Sequence, residues 1–281
     1  MKRAVLFLLL NLTICAIYAQ SQPVSQRLDA LLNDEILKTS EVGITVFDLT
    51  TGESLYRYQD EKLYRPASIE KVITSVTALA RLGADYTMDT HLRYTGKIEN
   101  DTLKGNLYLI GGFDPELMDE DLDSLVAAVE AQGIRYVTDT IAADVSMMDS
   151  VYWGPGWSWD DTPYSFQPYL SPLMLNRGCV DVSVSPAQKD SLPTVRCTPV
   201  SDYYRVCNRA VSRNPQAGKL EITRNWLSNG NVITVSGNVS GPYTGQVNIY
   251  TSKDFLFHTF IQRLEEKGIT SGVHTYADCP T

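Results

Sequence analysis

The chain has 281 residues, 43% of them hydrophobic and 20% charged, which excludes a peptide or a disordered tail and leaves room for one large domain or two to three smaller ones. A formal net charge of -9 gives it no basic face, so nucleic acid and anionic lipid are excluded as electrostatic partners.

The first element is an export signal over residues 1–19. Lys2 and Arg3 precede an apolar run from Ala4 to Ile17, broken by Asn11 and Thr13, and Ala16 to Ala19 offer a cut before Gln20. The run is too short and too polar to remain as a membrane span, so the sequence predicts an exported, periplasmic or extracytoplasmic protein. Cys15 invites a lipoprotein reading, which Ile14 opposes because a small residue is needed there. Cleavage removes two positive charges and leaves Cys179, Cys197, Cys207 and Cys279. Cys197 and Cys207 are spaced to close a short loop, and Cys279 is the natural odd one out. Four cysteines nevertheless allow three pairings, among which the sequence does not choose.

Leu28, Leu31, Leu32 and Ile36 predict a helix over Val24–Leu37. Val42–Leu49 and Ser54–Tyr58 read as strands of a hairpin joined by the polar Thr50-Thr51-Gly52-Glu53. Val72, Ile73, Val76, Leu79 and Ala80 then predict a half-buried helix that ends at Arg81 and Gly83. Beyond Leu92 the chain turns to short strands, with Leu107–Ile110 running into Gly111-Gly112-Phe113-Asp114-Pro115. A helix over Asp119–Gln132 follows, and its acidic first turn reads as carboxylates favoured at a helix N-terminus rather than as a cation site. From Tyr136 the pattern is mostly β until a last helix, Phe255–Lys267, which stops at Gly268.

The sharpest chemistry is Ser68 and Lys71, the chain's only Ser-x-x-Lys pair, at the mouth of the second predicted helix. Three residues apart on a helix, a hydroxyl and an amine share a face, so the amine can take the proton as the hydroxyl attacks a carbonyl. Lysine is protonated at neutral pH, so this role needs a dry pocket or a second cation to keep Lys71 neutral. About one such pair is expected by chance in a chain this long, and an N-capping Ser68 beside an exposed Lys71 explains these residues equally well.

The surroundings carry a resemblance. Tyr64-Arg65-Pro66-Ala67-Ser68-Ile69-Glu70-Lys71, running to Leu82-Gly83, resembles the active-site segment of penicillin-binding proteins. Gly105-Asn106-Leu107-Tyr108 with the Gly-Gly-x-Asp-Pro turn, Pro155-Gly156-Trp157-Ser158-Trp159-Asp160-Asp161, and the helix before Gly268-Ile269 are similar to elements of a narrower group. That group is the D-alanyl-D-alanine carboxypeptidase/endopeptidase family of the penicillin-binding protein 4 type (class C, peptidase family S13). The resemblance runs from Val24 to Val273.

It implies an α+β fold: part of a serine β-lactamase/DD-peptidase-like catalytic domain with β-rich inserted domains. Residues 20–92 would form the N-terminal part of the peptidase domain, 93–250 the inserts, and 251–281 the start of the return. It also implies an acyl-enzyme on Ser68, with Lys71 as base, formed from peptidoglycan stem peptides ending in D-Ala-D-Ala. β-Lactam antibiotics would be acylating inhibitors, Asp161 would approach the amino group of the substrate's diamino acid, and no cofactor or metal is required.

The family also uses a Ser-x-Asn and a Lys-Thr-Gly or Lys-Ser-Gly. Neither lysine motif occurs, Lys38-Thr39-Ser40 coming closest, while Ser212-Arg213-Asn214 and Ser236-Gly237-Asn238 fall in the insert-like region. The expectation is therefore a C-terminally truncated chain of impaired activity, with a non-catalytic module that binds cell-wall peptide or a partner as the alternative. A Ser-His-Asp hydrolase lacks its Gly-x-Ser-x-Gly elbow, and His91, His258 and His274 show no metal-ligand spacing. A β-lactamase shares the Ser-x-x-Lys logic but leaves the insert region unexplained.

Overall fold

A computed structural model describes residues 23–280, so the export signal and Cys15 lie outside the described residues. No described helix is long and apolar enough to cross a membrane. The chain divides into two compact units between Tyr86 and Thr87.

The first unit begins with α1 (Val24–Leu32) and α2 (Glu35–Lys38) where one helix was predicted. The break has a local cause: the Asp34 carboxylate accepts the Ile36 N–H at 3.0 Å and so caps a new helix. Next come β1 (Ile44–Asp48) and β2 (Glu53–Tyr58), an antiparallel hairpin with an irregular register between Val46 and Phe47. Its loop is pinned by Asp48, whose carboxylate accepts from Thr50 N–H at 2.8 Å and Thr51 N–H at 3.3 Å. Those bonds hold the Asp48 carboxyl below the usual carboxylate range. The Tyr56 hydroxyl donates to Asp29 at 2.6 Å and fastens α1 to β2.

A 3₁₀ turn, Ala67–Ile69, leads into α3 (Glu70–Leu82), which ends where Gly83 takes φ 86 and donates its N–H to the Leu79 carbonyl. Glycine suits that position because a Cβ opposes positive φ. The apolar stripe of α3 is present, but the expected half-burial is not. Val72, Ile73, Val76 and Leu79 remain 58–67% exposed, because the two-stranded hairpin, the only sheet among the unit's described residues, leaves that face open.

The second unit holds every buried residue described. Its first part runs β3 (His91–Tyr94), β4 (Lys97–Glu99), β5 (Thr102–Lys104), β6 (Leu107–Ile110), α4 (Asp119–Ala131), β7 (Tyr136–Val137) and β8 (Ile141–Asp144). Its second part runs β9 (Cys179–Ser185), β10 (Thr194–Thr198), β11 (Arg205–Ser212), β12 (Glu221–Arg224), β13 (Val232–Val239), β14 (Tyr243–Asn248), α5 (Ser252–Glu266), β15 (Thr270–Ser271) and β16 (His274–Tyr276). Two mixed sheets of four strands have the orders β15-β7-β5-β4 and β16-β8-β6-β3, and two of three strands have the orders β10-β9-β14 and β11-β13-β12.

Leu122, Val126 and Val129 of α4 and Phe255, Leu256, Phe260 and Leu264 of α5 enter one hydrophobic core with Leu103, Leu109, Val182 and Val235. The segment 251–281, expected to begin a return to the peptidase domain, thus packs in the second unit. The acidic turn of α4 is used structurally: Arg263 pairs with Asp119 and, at 2.7 Å, with Asp123, while Asp121 accepts the Met118 N–H at 2.9 Å. At the Gly-Gly turn, a Cβ on Gly112 would lie 1.9 Å from the Asp89 carbonyl oxygen, so only glycine permits the two backbones to approach.

Candidate active site

Ser68 lies within the 3₁₀ turn and not at the cap of α3, a position taken by Ile69 without any side-chain bond. The N-capping explanation of Ser68 therefore fails. Its Oγ instead accepts a hydrogen bond from Lys71 Nζ at 3.1 Å, so the pair that the sequence singled out meets.

Two features that sequence reasoning missed shape the approach to it. Ala67, immediately before Ser68, has φ 44, a left-handed conformation that costs a non-glycine residue about 1–3 kcal/mol and is characteristic of positions held for function. Upstream, the Tyr64 hydroxyl lies 2.8 Å from the Val42 carbonyl oxygen and 2.9 Å from that of Gln59, which ties the Tyr64-Arg65-Pro66 segment to the hairpin. The ring fits because Gly43 has no side chain; a Cβ there would come within 2.7 Å of it.

Chemically, the arrangement aims a lysine amine at a serine oxygen on one helical face. A protonated Lys71 amine is the donor in this bond, and transfer in the other direction requires a neutral amine. Both Ser68 and Lys71 are exposed in the described structure, so no dry pocket is formed around them by the first unit.

Asp161 belongs to the second unit, at the end of a 3₁₀ turn, Trp159–Asp161. It is half-buried beside an exposed Asp160, and its carbonyl closes the turn by accepting from Tyr164 N–H at 2.9 Å. Both Ser-x-Asn triplets serve local structure in this unit. Ser212 is buried and accepts the Ala187 N–H at 3.0 Å, Asn214 caps the following turn, and Asn238 accepts the Asn214 N–H at 2.8 Å. The cysteine pairing left open by the sequence resolves as none: Cys179, Cys197, Cys207 and Cys279 are all free. Cys197 and Cys207 stand on β10 and β11, which belong to different sheets, and burial pushes the Cys179 and Cys197 thiols up to about 12 and about 11.

Residues 24–275 match the model of the D-Ala-D-Ala carboxypeptidase 3 (S13) family. The chain belongs to the S13 family. Its similarity to the D-alanyl-D-alanine carboxypeptidase of Actinomadura sp. (strain R39) is 31% identity, over 90% of this chain and 48% of that one. To the D-alanyl-D-alanine carboxypeptidase DacB of Haemophilus influenzae it is 29% identity, over 53% of this chain and 31% of that one. It therefore spans about half or less of the length of these S13 relatives.

The fold agrees. The crystal structure of penicillin binding protein 4 from Haemophilus influenzae superposes with a TM-score of 0.66 at 23% identity, over 85% of this chain and 54% of that one. The same penicillin binding protein 4 in complex with a β-lactam gives 0.59 at 20% identity, over 87% of this chain and 53% of that one.

Proposed function

We propose that this S13 chain carries the acylation pair of a serine-type D-Ala-D-Ala carboxypeptidase/endopeptidase acting on peptidoglycan stem peptides in an extracytoplasmic compartment. The observation that carries the reading is the 3.1 Å hydrogen bond between Lys71 Nζ and Ser68 Oγ, on a helix preceded by a strained Ala67, in a chain of this family. Ser68 Oγ would attack the carbonyl between the two D-alanines while a neutral Lys71 accepts its proton. The terminal D-alanine leaves with that proton, and water then releases the acyl group.

On the same logic β-lactams acylate Ser68, and Asp161 contacts the amino group of the stem's diamino acid. Residues 20–92 belong to the peptidase domain and 93–250 to inserted domains; the compact boundary between Tyr86 and Thr87 supports that division.

One observation favours a second reading. The exposure of Ser68 and Lys71 leaves nothing among the first unit's described residues to keep the amine neutral, as in a module that binds wall peptide without cleaving it. Incubation of the mature protein with fluorescent penicillin separates the two. A denaturation-resistant label that Ser68→Ala abolishes establishes acylation, whereas absence of label in a folded protein establishes the non-catalytic module.

A further inference from the structure

Away from Ser68, the second unit contains an aromatic pocket that the acylation reading does not use. Trp153, Trp159, Thr162, Tyr169, Trp226, Leu227 and Asn229 line a cavity of about 240 Å³. Two ring pairs make its walls: Trp153 and Tyr169 with centroids 4.9 Å apart, and Trp159 and Trp226 with centroids 5.1 Å apart. The walls are open to a ligand, since Trp159 is 67% exposed and Leu227 77%.

The pocket is also held in shape. The Asn225 carboxamide oxygen accepts from Val232 N–H at 2.7 Å, and the Asn225 carbonyl accepts from Gly230 N–H at 3.1 Å. Behind the turn, the buried Arg224 donates through Nε to Asn248 at 3.0 Å and through Nη1 to the Gly230 carbonyl at 3.1 Å, with its guanidinium 6.0 Å from the Tyr169 ring. Rings fixed before binding lose little entropy when a ligand arrives.

The lining decides the ligand class. It contains no carboxylate, amine, guanidinium or imidazole, so it suits a neutral ligand and not the charged ends of a peptide. Its flat aromatic faces carry negative charge over the ring, which attracts the polarised C–H bonds on one face of a pyranose. Thr162 is only 4% exposed and lines the cavity with a hydroxyl that no side-chain hydrogen bond ties to another described residue, and Asn229 adds an amide at the rim. A hydroxyl and an amide beside aromatic rings tilted by about 40° to each other complement a sugar bearing an N-acetyl group. The cavity is smaller than the ~300–1,000 Å³ of sites for drug-sized ligands, which fits a single ring.

We infer that this pocket binds one neutral, N-acetylated pyranose of a glycan strand. The inference rests on the pocket alone and goes beyond the acylation reading, adding the sugar portion of the wall polymer to the proposed peptide substrate. Saturation-transfer NMR and isothermal titration with chitotetraose, a soluble β-linked N-acetylglucosamine tetramer, test it on the mature protein.

Saturable binding is expected, weakened at least tenfold in Trp159→Ala and in Leu227→Asp, whose exposed positions spare the fold, and undiminished in Ser68→Ala. Cellotetraose, which lacks the acetamido groups, is expected to bind at least fivefold more weakly. No saturable binding of chitotetraose overturns the proposal, as does binding that both pocket variants leave unchanged. Because Ser68→Ala retains the sugar under the proposal, failure of acylation and failure of this pocket are read separately.

Discussion

The two compact units contrast sharply in where they put their apolar side chains. In the second, Phe255, Phe260, Leu122 and Val235 are fully or nearly fully withdrawn from water into a shared core. In the first, which carries the Ser68–Lys71 pair, no described residue is buried, and the stripe on α3 faces outward. Since withdrawing a large apolar side chain contributes about 1.5–3 kcal/mol, cooperativity resides in the second unit while the candidate chemistry stands on the weakly supported one. Organisation for folding and organisation for reaction are thus separated along the chain.

Amide hydrogen exchange offers the widest margin for breaking this contrast. A helix as short as α3, with its apolar face uncovered, is marginal by itself, whereas α5 opens only with its core. Amides of α3 are expected to exchange at least ~1,000-fold faster than those of Phe257–Leu264, equivalent to roughly 4 kcal/mol of additional protection in α5. Equal, slow exchange in both helices would mean that the α3 stripe is covered in solution, and the contrast would collapse.

Paired truncations sharpen it on a smaller scale. Phe260→Ala removes a fully buried ring and is expected to cost about 3–5 kcal/mol in denaturant unfolding, while Val76→Ala, at a position 61% exposed, changes stability by no more than about 0.5 kcal/mol. Comparable losses at the two positions would show that Val76 is packed after all.

The same contrast explains what could be read from the sequence. Periodicity located α4 and α5 to within a few residues because their apolar positions do enter a core, and the hairpin followed from its polar loop. For α3 the identical signal gave the helix but not its burial, since a stripe shows which face is apolar and not whether anything lies against it. The meeting of Ser68 and Lys71 was legible because helical geometry brings residues three apart together. The strain at Ala67 was not, because alanine gives no sign of positive φ, and neither was the pocket joining Trp159 to Trp226, whose rings meet only through the tertiary fold. The break at Asn33-Asp34 depended on one capping carboxylate overriding a continuous apolar spacing.

The smallest effect concerns what holds the first unit together in place of a core. Tyr56 donates its hydroxyl proton to Asp29, a bond that exists only while the phenol is protonated, and this bond pushes the Tyr56 pKa from 10 up to about 12. A proton held more tightly in the folded than in the unfolded chain stabilises fully below the unfolded value and ceases to do so as the pH passes the folded one. The fastening of α1 to β2 is therefore complete up to about pH 10 and released between about 10 and 12. Tyrosinate absorbance near 295 nm should show several late-titrating phenols, since burial also raises Tyr203, Tyr204 and Tyr276, and Tyr56→Phe should remove one of them, with the α1 resonances shifting between about pH 10 and 12 in wild-type protein alone. If Tyr56 ionised at its ordinary value while α1 remained in place, the first unit would have to be held by apolar contacts, and its difference from the second would be one of degree.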